Sequence, residues 1–163
     1  MSISKDIFLA ILAMDSYNRD YGAGINLTGN AIGNATIGTN SGAIKDANGN
    51  RLDEAASFFA QAYTINEGKS YTNADGTTGL TSGQTVISYR GTDAPGTDAF
   101  TGWSLGAGYT AASQAGLARS FYESVINAGS AVPRSVFDVP PLGFVLTGHS
   151  LGGGLAGYVG TNQ

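Results

Sequence analysis

Cysteine is absent from this 163-residue chain, which excludes disulfides, thiolate metal sites and a cysteine nucleophile. Charge is scarce as well: 12% of the residues are charged, about half the usual share. With eight Lys and Arg and a net charge of -4, the chain lacks the basic surface that nucleic acid or an anionic membrane requires. No apolar run is long enough to span a bilayer. "IFLAILAM" (7–14) is too short, and Asp6 at its head, with no small-residue cleavage pattern after it, makes a poor signal peptide. Histidine occurs once, at His149.

Glycine fills the gap, with 25 residues where average usage gives roughly a dozen. The 42% hydrophobic fraction is ordinary. Together they describe one folded domain with long Gly/Asn/Thr loops and enough chain to bury a core.

Helical spacing of Ile7, Ile11 and Met14 with Phe8, Leu12 and Asp15 predicts a core-packing helix from about Lys5 to Arg19, capped by Ser4. Residues 22–50, dense in Gly and Asn, read as a long loop pegged to the body by Ile25, Ile32, Ile37 and Ile44. Its two N-x-T triplets are expected by chance in such a composition. "DANGN" (46–50) lacks the alternating ligands of a calcium loop and reads as a turn, so no metal site is expected. Strands are predicted at 57–65 and 84–91, with turns at "NADG" and "TSG" between them, and a helix at about 112–127. "PLGFVLT" (141–147) reads as a strand buried on both faces of a parallel sheet, turning into a further helix. The pattern is α/β, with no domain boundary.

The chemistry concentrates after that strand. Gly148-His149-Ser150-Leu151-Gly152 fits a G-x-S-x-G elbow, a sharp strand-to-helix turn that strains the serine backbone and lifts its hydroxyl above the sheet. Gly148 and Gly152 remove side chains that would strike neighbouring backbone. The helix that follows aims its N-terminus at the place where negative charge develops. Two other readings stay open on the same letters. Thr147-Gly148, Gly152 and Gly154 also fit T-G-x-x-x-G-x-G, a dinucleotide-binding turn, and the glycines could simply serve tight strand–helix packing.

A second signal, Tyr89-Arg90-Gly91-Thr92, ends the strand at 84–91. With Gly148-His149-Ser150-Leu151-Gly152-Gly153, in this order and spacing, it resembles the class 3, fungal-lipase-like serine hydrolases and their bacterial relatives. The resemblance covers about residues 57–163 and less clearly 1–56. It implies an α/β-hydrolase fold with a mostly parallel central sheet. Ser150 would be the nucleophile, and the amides of Leu151 and Thr92 the oxyanion hole. Arg90 would fix the strand end by ion pairing. A lid would lie at 93–109, with Phe100 and Trp103 facing substrate, the alternative being an ordinary surface loop with a few packed aromatics. The implied activity is carboxylic ester hydrolysis, as lipase or esterase, through an acyl-serine, on an ester or lipid substrate and without a cofactor. Bacterial relatives with this motif pair are often secreted, which tilts the expected location outward.

The resemblance also exposes a gap. The family's triad continues from serine to Asp and then His, whereas His149 sits beside the serine and cannot align with its oxygen. Residues 1–163 therefore read as the N-terminal portion of a single hydrolase domain. Asp and His are expected beyond Gln163, in a C-terminal fragment of the same protein held as a separate chain. A shortened chain, or a natural short form acting as a non-catalytic binding or structural module, are the alternatives.

Overall fold

The structure, a computed structural model, describes residues 3–91, 113–128 and 143–161. Its elements are α1 (Lys5–Asp15), β1 (Ala31–Ile32), β2 (Ala35–Asn40), α2 (Leu52–Ala55), β3 (Ala60–Ile65), β4 (Ser70–Thr72), β5 (Thr78–Thr81), β6 (Thr85–Tyr89), α3 (Ser113–Ile126), β7 (Phe144–Gly148) and α4 (Leu151–Thr161). Five strands form one sheet in the order β1-β2-β3-β6-β7, and β4 and β5 form a separate hairpin.

The architecture is mixed α/β, but the expected mostly parallel sheet is not what the described residues build. Three of the four pairings are antiparallel, and only β6 and β7 run parallel. The reason is connectivity. A parallel pair needs a crossover, and α3 lies between β6 and β7 in the chain, whereas β1 and β2 are joined by the two-residue turn Gly33-Asn34. Gly33, at φ 55°, is the glycine such a hairpin turn favours at its first central position.

Strand alternation divides the core. Ala60, Ala62, Ile87, Tyr89, Phe144 and Leu146 point to one face, against Ala118, Phe121 and Tyr122 of α3 and Leu155 and Val159 of α4. Tyr63, Ile65, Val86 and Val145 point to the other, against Phe8 and Leu12 of α1. Each fully buried large side chain among them, such as Phe121, Leu155 or Ile87, contributes about 2 kcal/mol. Helices thus cover both faces of β3, β6 and β7.

Two expectations need correction here. Residues 22–50 are not simply loop, because Ala31–Ile32 and Ala35–Asn40 join the main sheet. Pairing with the central β3 overrides the poor strand propensity of Gly and Asn. Ile32, Ile37 and Ile44 do pack onto the core, whereas Ile25 is exposed. Of the six residues on the predicted stripe of α1, Phe8, Leu12 and Asp15 are buried, with Ala13 beside them, while Ile7 and Met14 are 54% and 53% exposed. The helical stripe was wide enough to include both faces. "DANGN" does form a turn, with the Asp46 carboxylate accepting from the Asn48 and Asn50 amides.

Polar contacts fix the segment after α1. Buried Asp15 accepts two hydrogen bonds from Arg19, at 2.8 and 2.9 Å, and a third from the Tyr63 hydroxyl at 2.8 Å. Burial, and then the Asp15 charge, push the Tyr63 pKa upward. Arg19 also donates to the carbonyls of Leu27 and Gly29. Asp20, at φ 58°, takes a bidentate pair from Arg51 at 3.1 and 2.6 Å, and Arg51 also reaches buried Asp53.

The Arg51 hydrogen bond outweighs desolvation and holds the Asp20 carboxyl below its ordinary value of 3.8. A depressed folded-state pKa stabilises above the unfolded value, and the contribution is lost as pH falls through the folded one. Asp20→Asn is therefore expected to cost about 1 kcal/mol at neutral pH, a small figure because the pair is partly exposed. It should also flatten the loss of stability on acidification below about pH 4. Urea titrations at pH 7 and pH 3 check this, and an equal penalty at both would refute it.

Candidate active site

The parallel register of β6 and β7 builds the site. Tyr89 lies opposite Gly148, so residues 90–91 leave one strand beside the point where His149 and Ser150 leave the other. Sites in α/β sheets form at such carboxyl ends, because the chain there turns away and leaves a crevice.

Ser150 occupies the turn between β7 and α4 at φ 56°. For a residue with a β-carbon this left-handed conformation costs roughly 1–2 kcal/mol, and such strain clusters at functional sites. The side chain is exposed. Ser150's carbonyl accepts from the Gly153 amide at 3.0 Å, and His149's accepts from Gly152 at 2.9 Å, which closes the turn onto the helix. Leu151 is the first helical residue, so its amide is one of the orphan donors of a helix N-terminus. Among the described residues it has no hydrogen-bond acceptor.

The elbow glycines are enforced by backbone. A β-carbon on Gly152 would overlap the Tyr89 carbonyl oxygen and lie 3.0 Å from the Arg90 carbonyl carbon. One on Gly148 would overlap the backbone of Gly152 and sit 2.8 Å from the Tyr89 oxygen. Gly91 closes the same knot, since a β-carbon there would lie 2.6 Å from the His149 carbonyl oxygen and 3.2 Å from the Ser150 β-carbon. The two sequence motifs, about sixty residues apart, thus meet at Gly91 and Ser150.

Arg90 is buried and fixes the strand end through carbonyl hydrogen bonds and ring contacts. Its guanidinium donates to the Tyr21 and Arg19 carbonyls at 3.0 and 3.3 Å and lies over the rings of Phe59 and Tyr21, 4.6 and 4.8 Å from their centroids. His149 does not turn to the serine. Its Nδ1 is 3.3 Å from the Tyr17 hydroxyl, and among the described residues nothing hydrogen-bonds the Ser150 side chain.

Of the expected site residues, Ser150, Leu151, Gly148 and Gly152 come together. Thr92, Phe100, Trp103 and the whole 93–109 segment lie outside the described residues. Tyr17 went unnoticed in the sequence, where it falls at the end of a helical pattern with no motif around it. In the structure it sits in a short 3₁₀ turn, Ser16–Asn18, that ends α1.

A groove of about 610 Å³ runs along the outer side of β7 and α4, lined by Tyr122, Phe144, Leu146, Gly148 and Gly157 among others. β7 has one strand neighbour among the described residues and is half-buried throughout. No described helix is long and apolar enough to cross a membrane, and the described residues hold no cluster of three His, Asp or Glu suited to a metal. Compared with protein families, curated proteins and solved structures, the chain matches none.

Proposed function

We propose that this chain carries the nucleophile and part of the oxyanion hole of a carboxylic ester hydrolase, a lipase or esterase working through an acyl-Ser150. The observation that carries the reading is Ser150 itself, an exposed serine in a left-handed turn between a parallel strand and the N-terminus of a helix. Tight packing alone explains the glycines beside it, but not why a strained residue with a side chain stands between them. Ser150 would attack the ester carbonyl, and the Leu151 amide, at the positive end of α4, would stabilise the oxyanion. Thr92, the residue after Gly91, would give the second donor.

His149 would not be the base, because it is the residue beside Ser150 and, among the described residues, makes no hydrogen bond to the serine side chain and has no carboxylate behind its ring. The base and its carboxylate would come from outside residues 1–163, on a segment paired with the outer edge of β7. The sheet as a whole would then be the N-terminal part of an α/β-hydrolase sheet, with β6 and β7 as the start of its parallel portion. The packing counts against a dinucleotide site, since the space beside Gly148 and Gly152 that a pyrophosphate would need is filled by the Tyr89 and Gly152 backbone.

A fluorophosphonate tests the proposal, because it phosphonylates only an activated serine. Mass spectrometry of the protein with its C-terminal part should place the adduct on Ser150. No adduct there would leave the non-catalytic binding module as the better reading.

A further inference from the structure

We propose that Tyr17 is a positioning residue of this site, whose hydroxyl holds the strand end at Gly91 against the elbow and keeps His149 in the Nδ1-protonated tautomer. The inference rests on the hydrolase reading for its catalytic part only. Among the described residues, three polar atoms lie at hydrogen-bond distance from the hydroxyl oxygen. The Gly91 amide nitrogen lies at 3.0 Å, His149 Nδ1 at 3.3 Å and the His149 carbonyl oxygen at 3.4 Å. A phenol offers one hydrogen and two lone pairs. All three contacts form together in one arrangement. Gly91 N–H and His149 Nδ1–H donate into the oxygen, and the phenol hydrogen goes to the His149 carbonyl. A neutral imidazole with its proton on Nε2 would leave Nδ1 and the carbonyl competing for that single hydrogen.

Tyr17 is itself held. Its carbonyl accepts from the Gly24 amide, and neighbouring Asn18 accepts from the Leu27 amide at 2.7 Å. The same turn grips the strand end a second time, since Arg90 donates to the carbonyls of Arg19 and Tyr21. Residues 90 and 91 are thus fixed from the N-terminal segment by a side chain and by an amide, immediately before the proposed donor Thr92. The hydroxyl also holds the carbonyl of the residue preceding the nucleophile. One oxygen therefore ties the end of β6 at Gly91 to the residue before Ser150. The hydroxyl does not touch the reacting atoms, so it acts through geometry.

The test compares wild type with Tyr17→Phe, which keeps the ring and removes the oxygen. His149 is the only histidine, so its two ¹⁵N resonances need no assignment mutant. Wild type should show a protonated Nδ1 and a bare Nε2 in the neutral ring. In Tyr17→Phe the balance should move toward protonated Nε2, and Gly91 amide exchange should quicken. In the protein complete with its base, kcat for a soluble ester should fall about tenfold with KM within about twofold, as expected when a donor is displaced and substrate contacts are kept. An Nε2-protonated wild-type ring needs no folded variant to be seen, and it overturns the proposal. So does unchanged Gly91 exchange in Tyr17→Phe, or a loss confined to KM. An inert wild-type protein whose ring and Gly91 amide nevertheless respond would overturn the hydrolase reading and the catalytic role, leaving Tyr17 as the anchor of the turn.

Discussion

Ser150→Ala is expected to abolish ester hydrolysis, by about a millionfold where a full triad operates, and to leave the fold unchanged. Alanine keeps the β-carbon, so the left-handed strain at φ 56° remains and stability should stay within about 0.5 kcal/mol. The companion variant separates chemistry from strain. Ser150→Gly also lacks the hydroxyl, but glycine adopts this conformation freely, so it should gain about 1 kcal/mol in urea unfolding despite its looser unfolded chain. Two inactive variants of different stability would show that the turn holds its serine at a cost the fold does not need. Residual turnover near the wild-type rate in Ser150→Ala would end the nucleophile assignment.

Among the described glycines, Gly152→Ala is expected to be the most destabilising added methyl, by about 3 kcal/mol or more, since overpacking against rigid backbone cannot be relieved by a rotamer change. The atom it strikes is the Tyr89 carbonyl oxygen at the end of β6, so relief requires α4 to move off the sheet. Catalysis should fail with stability, because the same displacement carries the Leu151 amide away. Gly157→Ala, in the same helix, is the control. Nothing lies within 4 Å of its would-be β-carbon, and alanine is the better helix former by about 1 kcal/mol. It should therefore stabilise. Thermal unfolding of the two variants side by side decides the matter, and a mild loss at Gly152 would mean that the helix start is less tightly seated than the structure shows.

Local pattern made much of this fold legible. The periodicities at 57–65, 84–91, 112–127 and 141–147 correspond to β3, β6, α3 and β7, with ends differing by up to three residues. These segments bury apolar side chains on regular faces, which is what periodicity reports. Strand direction was not legible, because parallel or antiparallel pairing depends on partners far along the chain. β2 was hidden by Gly38 and Asn40, although Gly33-Asn34 before it is a recognised hairpin signal that the dense background of similar residues obscured. The β4–β5 hairpin was read only as its turns. At the site, Ser150, Leu151 and the glycines could be found because the elbow is a contiguous motif. Tyr17 could not, since its bonds join residues 74 and 132 positions away.

Those separations have a kinetic meaning. Closing chain loops of such length costs entropy before any contact rewards it, so contacts of this kind form after nearby pairings. The β1–β2 turn and the antiparallel strands from Ala35 to Tyr89 can assemble from neighbouring segments, whereas the knot of Tyr17, Gly91 and His149 needs three segments far apart in the sequence. Pulse-labelled hydrogen exchange during refolding should find the β3 and β6 amides protected before that of Gly91, and simultaneous protection would argue for a single concerted step. Until the knot closes, the strand end at Gly91 and the turn at Ser150 are not held together. On the proposed reading, the order of folding would keep the nucleophile and its surroundings apart until the late contacts form.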